Sequence, residues 1–105
     1  MCSNIKVFIE DGILIAKIKG EIDNSVTKEF REVIDTNILK NNLKYLIIDF
    51  EEVKFVDSSG IGFIIGRFNQ LKGRNGKIFM CELDDVVKRI VRLSGISRIV
   101  SIKDT

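Results

Sequence analysis

Y45-L-I-I-D-F-E-E-V-K-F-V-D-S-S-G-I-G62 passes from an apolar run through two serines into a pair of glycines. Tyr45 to Phe50 reads as a buried strand, continued by E51-E-V-K-F-V. From Ser58 to about Lys72 the apolar residues recur at helical spacing. A strand, a tight turn and a helix in direct succession form the repeating unit of an α/β fold. The spacing makes Ser58 the expected N-cap, with its hydroxyl facing unpaired amide groups. Such a helix end favours an anion, including a phosphate placed on that serine. Serine and aspartate cap helices in any protein, so the turn alone is explained by capping worth about 1 kcal/mol and needs no function.

Elements of the same kind extend in both directions. I5-K-V-F-I-E and I13-L-I-A-K-I-K flank Asp11-Gly12, a two-residue hairpin signal, and are expected to pair antiparallel. After the cap-rich segment Gly20 to Ser25, residues Val26, Phe30, Val33, Ile34 and Ile38 mark an amphipathic helix ending near Asn41-Asn42. C-terminal to the quoted stretch, Arg74-Asn75-Gly76 is a turn and I78-F-M-C a strand. Asp84-Asp85 start a short helix over Val86 to Leu93, Gly95 ends it, and R98-I-V-S-I is a last strand. The order β-β-α-β-α-β-α-β predicts an α/β fold with a mixed, mostly parallel sheet in one domain spanning residues 1–105. Parallel second, third and fourth strands would gather Asp23, the Asp57-Ser58-Ser59 turn and the Glu82 to Asp85 loop at one edge of the sheet.

The helix after the turn bears on function as well as fold. Ile61, Ile64, Ile65, Phe68 and Leu71 form the stripe expected to face the sheet. That leaves Ser59, Gly62, Phe63 and Gly66 on the other side. Two interior glycines cost about 1 kcal/mol each relative to alanine, and an aromatic between them gains little unless something covers it. The pattern suggests a shallow apolar docking groove beside the serine, unless another element of the same chain covers that face.

Composition narrows the chemistry. The 105 residues are 45% hydrophobic and 30% charged, as in a soluble globular domain. Seventeen basic and fifteen acidic residues leave a net charge of +2 with the signs interspersed, which gives no electrostatic case for nucleic acid. The nearest thing to a basic patch is Lys88, Arg89 and Arg92, which reads as a solvated helix face. No apolar run approaches a membrane span, and the N-terminus lacks a secretory pattern, so the expected location is the cytoplasm with no membrane partner. Cys2 and Cys81 are expected as free thiols in a reducing compartment. With no histidine, a Ser-His-Asp triad, a Cys-His pair and every histidine-containing metal site are impossible. Neither a catalytic residue nor a metal ligand is assigned.

These residues resemble the anti-sigma factor antagonist family of STAS domains over nearly the whole length. G20-E-I-D is similar to the family motif after the second strand, and F55-V-D-S-S-G-I-G to its phosphorylation turn. G66-R-F-N-Q-L-K is similar to the helix that follows, and V87-K-R-I-V-R-L-S-G-I to the next helix and turn. The Gly66-Arg67-Phe68 continuation is most similar to the family's sporulation member. One departure is that family members commonly carry a further helix after the last strand. The resemblance implies a STAS fold and a phosphoacceptor at Ser58. It further implies a partner surface comprising Asp23, Asp57, Ser59, Gly60, Gly62, Phe63, Gly66 and Arg67. The implied partners are an anti-sigma factor that is also a serine kinase, and a serine phosphatase. ATP and magnesium would belong to the kinase, so no cofactor is expected here.

Three rival readings make different demands. A phosphoryl-receiving receiver domain would use Asp49 with Glu10-Asp11 and Lys103, yet Asp11-Gly12 leads into a strand where a receiver's acidic pair precedes a helix. A small hydrolase would need a base near Ser58, and D-S-S-G lacks the G-x-S-x-G elbow. A STAS module acting only as sensor or scaffold would have no need of a phosphorylatable cap.

Overall fold

The computed structural model describes residues 4–103. Strands β1 (Ile5–Glu10) and β2 (Ile13–Ile22) form the expected antiparallel hairpin. Its turn is built from Asp11 at φ 52° and Gly12 at φ 78°, the left-handed pair that matches the twist of a two-residue hairpin. Helix α1 (Thr27–Lys40) leads to β3 (Tyr45–Val56), α2 (Ser58–Lys72), β4 (Lys77–Cys81), α3 (Asp85–Ser94) and β5 (Ser101–Lys103). The sheet order is β1-β2-β3-β4-β5, with every pair after the hairpin parallel. Each crossover steps to the adjacent position in the same direction, and right-handed connections then set the helices on one face.

The core lies between that face and the helices. Leu14, Ala16 and Ile18 of β2, Leu46, Ile48 and Phe50 of β3, and Met80 of β4 alternate into it and are essentially inaccessible. They meet Phe30, Ile34 and Ile38 of α1, Ile64 and Leu71 of α2, and Val87 and Val91 of α3. The close packing of the turn before β4 explains Gly76, where a Cβ would run into the Lys44 carbonyl.

Four expectations need correction. Asp57, not Ser58, is the N-cap of α2, its carboxylate accepting from the Gly60 amide at 3.0 Å, and Ser58 becomes the first helical residue. The stripe of α2 is rotated: Ile65 is 37% exposed, whereas Phe63 is only 6% exposed. The cause is a second neighbour, because α2 packs on α1 as well as on the sheet. The Phe63 ring stands edge-on to Phe30 at 6.1 Å between centroids, and Arg67 pairs with Asp35. Third, β4 leaves β3 at Asp49, while β3 continues beside β2 alone to Val56, so the Glu82 to Asp85 loop falls short of the Ser58 turn. The last strand is shorter than expected, because residues Ile96–Arg98 form a 3₁₀ turn after Gly95, whose φ of 85° caps α3. Cys81 is a free thiol, and Cys2 lies outside the described residues.

Candidate functional site

The extra length of β3 creates the site. Beyond Asp49, β3 follows β2 through two register shifts until Ile22 stands opposite Val56. Both strands end there together, and the Asp57 amide donates to the Ile22 carbonyl at 3.2 Å. Asp23 and the Asp57-Ser58-Ser59 turn therefore emerge side by side. Gly60 permits that approach, since a Cβ on it would strike the Ile22 carbonyl and sit 2.6 Å from Val56 Cγ1. Its role is thus close packing beneath the turn rather than a free surface.

Within this cluster the polar groups are held in place. The Asp23 carboxylate accepts from the Ser25 hydroxyl at 2.6 Å and the Ser25 amide at 2.9 Å. These hydrogen bonds hold its carboxyl below the usual carboxylate range. Ser58 is exposed on the first turn of α2, where the leading amides of a helix have no intrahelical acceptor. Its environment combines an accessible hydroxyl, a locally positive helix end and two fixed carboxylates.

Two concavities flank the turn. On one side lies a groove of about 310 Å³ between α1 and α2, lined by Thr27, Arg31, Ser59, Gly62, Phe63, Gly66 and Arg67. A Cβ at Gly62 or Gly66 would meet nothing within 4 Å, so both glycines leave it open. The groove expected from sequence is present, with Phe63 in its wall as a packed ring rather than a protruding one. Arg67 is buried there, its Nε 3.1 Å from Asp35 Oδ1 and its guanidinium 5.6 Å from the centre of the Phe63 ring. Burial raises the Asp35 carboxyl above its ordinary value in spite of Arg67, and lowers Arg67 below its own.

On the other side lies an apolar hollow of about 430 Å³, lined by Val56, Asp57, Ser58, Ile61, Ile90, Leu93 and Ser94. Leu93 is 81% exposed, an unusual place for a large aliphatic side chain within an apolar patch beside a polar turn. Sequence reasoning missed the α3 contribution because it placed the wrong part of the β4–α3 segment next to Ser58. The signal was present in Ile90 and Leu93, one helical step apart on α3.

Residues 4–105 match the STAS domain family model. The chain belongs to the STAS family of anti-sigma factor antagonists, which are regulatory proteins and not enzymes. It is 31% identical to the anti-sigma-B factor antagonist of Listeria monocytogenes over 83% of this chain and 75% of that one. It is 28% identical to the anti-sigma F factor antagonist of Paenibacillus polymyxa, over 96% of this chain and 88% of that relative. Its fold is that of the anti-sigma factor antagonist SpoIIAA in its unphosphorylated form, with a TM-score of 0.85 at 24% identity over 96% and 87% of the two chains.

The receiver geometry is not assembled. Glu10 stands across from Ile13, which in turn faces Tyr45, at the opposite end of the sheet from the Ser58 turn. The Asp49 carboxylate instead accepts from the Glu51 amide at 2.9 Å. Lys103 Nζ lies 5.0 Å from the centre of the Phe79 ring. Among the described residues no group of three candidate ligands could hold a metal, and no helix is long and apolar enough to cross a membrane.

Proposed function

We propose that the unphosphorylated chain binds an anti-sigma factor that is also an ATP-dependent serine kinase, releasing a sigma factor, and that phosphorylation of Ser58 by that partner ends the interaction. A serine phosphatase reverses the modification, and the cycle runs in the cytoplasm. ATP and magnesium are supplied by the kinase. The sigma factor is of the sporulation type, a reading supported by the Gly66-Arg67-Phe68 resemblance to stage II sporulation protein AA.

The observation that carries this reading is the position of Ser58. Its hydroxyl is exposed at the first residue of α2, between an apolar hollow and an open groove, so one residue sits at the centre of a surface a partner can cover. The partner contacts Asp23, Asp57, Ser59, Gly62 and Gly66 at the rim, while Gly60, Phe63 and Arg67 hold that rim in shape from beneath. Ile61, Ile90 and Leu93 join them through the hollow. Apolar packing there supplies affinity and the fixed carboxylates supply orientation.

Incubation with the anti-sigma kinase and ATP, followed by phosphate mapping, tests the reading. A single phosphate on Ser58, absent from Ser58→Ala, is expected. Kinase-dependent phosphate persisting in Ser58→Ala would remove Ser58 from the mechanism.

A further inference from the structure

The groove between α1 and α2 is more polar than a hydrophobic docking surface requires. Thr27 and Ser59 bring hydroxyls to it, Arg31 and Arg67 bring guanidinium groups, and its lining contains no carboxylate. Arg67 is 7% exposed and is the one buried charged residue among those described. Asp35 lies close to it as a charge, yet the contact is not aligned as a hydrogen bond, and Arg67 Nη1 is buried with no hydrogen-bond partner. Leaving a buried charged donor unpaired is unfavourable by about 1–3 kcal/mol or more.

Arg31 lies near enough to Arg67 for the two cations to repel, and the Asp35 carboxylate interacts with both. With Asp35 ionised, these three groups together carry one net positive charge. An anion placed between the arginines would relieve their repulsion.

We propose that this groove is a binding site for an oxyanion, a phosphate or carboxylate group, held by Arg67 and Arg31 with the hydroxyls of Thr27 and Ser59. The guanidinium fork presents paired donors suited to either group. A volume of about 310 Å³ is at the small end for ligand pockets, which fits one compact anion or one acidic side chain. Oxyanion binding by the isolated chain does not depend on the Ser58 switch, and only the assignment of a partner carboxylate as occupant rests on the proposed anti-sigma partner.

The test is an amide NMR titration of the unphosphorylated protein with inorganic phosphate, with sodium chloride at matched ionic strength as the control. Saturable shifts at Ser59, Gly62 and Gly66 are expected with phosphate and not with chloride. Arg67→Gln should abolish them, and Arg31→Gln should weaken binding at least about tenfold, equivalent to about 1.4 kcal/mol. Arg31 is exposed, so its variant decides the matter if Arg67→Gln does not fold. Shifts reproduced by chloride, or unchanged in Arg31→Gln, would overturn the site. A second arm separates the sources of the anion. Phosphate that displaces the anti-sigma partner from the wild type but not from Arg31→Gln identifies a partner carboxylate as the occupant. Phosphate that binds without altering partner affinity identifies a free oxyanion.

Discussion

Single residues in this chain owe their identity to what lies against them, and the three glycines of α2 show it best. Gly60 has no room for a methyl group, because the Ile22 carbonyl is backbone and cannot swing aside. Gly60→Ala should therefore cost about 1–3 kcal/mol, read as a lowered denaturation midpoint. Gly62→Ala meets open space and should gain up to about 1 kcal/mol through helix propensity. Equal effects of the two substitutions would show that the turn is not packed as described. Cys81 allows a second prediction at this scale. Burial, with Asp49, Glu82 and Glu51 nearby, pushes its thiol up to about 11. At pH 8 about one molecule in a thousand then holds a thiolate, against roughly one in four for an ordinary cysteine. The greater nucleophilicity of a high-pKa thiolate offsets part of this. In a Cys2→Ser background, iodoacetamide should modify Cys81 roughly tenfold or more slower than a free cysteine peptide. Alkylation at the peptide rate would contradict the partly buried setting.

At the level of elements, the rotation of α2 is what sequence periodicity could not supply. A hydrophobic stripe reports that a helix has a buried face, but not whether a second helix covers another. Here α1 does, so Phe63 and Arg67 join the interior while Ile65 faces outward. Phe63→Ala should destabilise the domain by about 3–5 kcal/mol, whereas Ile65→Glu should stay within about 0.5 kcal/mol of the parent. Chemical denaturation distinguishes them, and a large loss from Ile65→Glu with none from Phe63→Ala would place the helix in its originally expected rotation. The strand and helix order was legible because Asp11-Gly12, Asn75-Gly76 and Gly95 punctuate apolar runs of clear period. The Ser58 turn was legible because strand, cap residues and helix are contiguous. The α3 wall of the hollow was not, since it depends on β3 running past β4, and local spacing does not encode how far one strand outlasts its neighbour. Likewise the exchange of capping roles between Asp57 and Ser58 turns on a one-residue difference in where the helix begins, which periodicity alone does not resolve.

For the whole molecule, the question is whether the proposed switch needs a change of fold. A phosphate on Ser58 brings about −1.5 to −2 charges to a turn that already holds Asp57, with Asp23 on the adjoining strand end. Repulsion from one unit charge about 6 Å away is roughly 0.7 kcal/mol in water and about 3 kcal/mol at the effective dielectric of a site covered by a partner. A hundredfold loss of affinity needs only about 2.7 kcal/mol. Desolvating the phosphate against the hollow formed with Ile61, Ile90 and Leu93 opposes binding further. Within the isolated domain the same phosphate is tolerated, because Ser58 is exposed and the amino end of α2 attracts negative charge. The expected switch is therefore electrostatic and confined to the surface. Ser58→Asp, which brings only part of the charge, should lower anti-sigma affinity roughly ten- to a hundredfold while its amide spectrum matches the parent beyond the first turn of α2. Ser58→Ala should bind with near-parent affinity and resist the kinase. Calorimetric titration of both variants, with spectra of authentic phosphoSer58 protein alongside, measures these effects. Shifts spreading through β4 and α1 on phosphorylation would replace this account with a conformational one, and undiminished binding by the phosphorylated protein would end it.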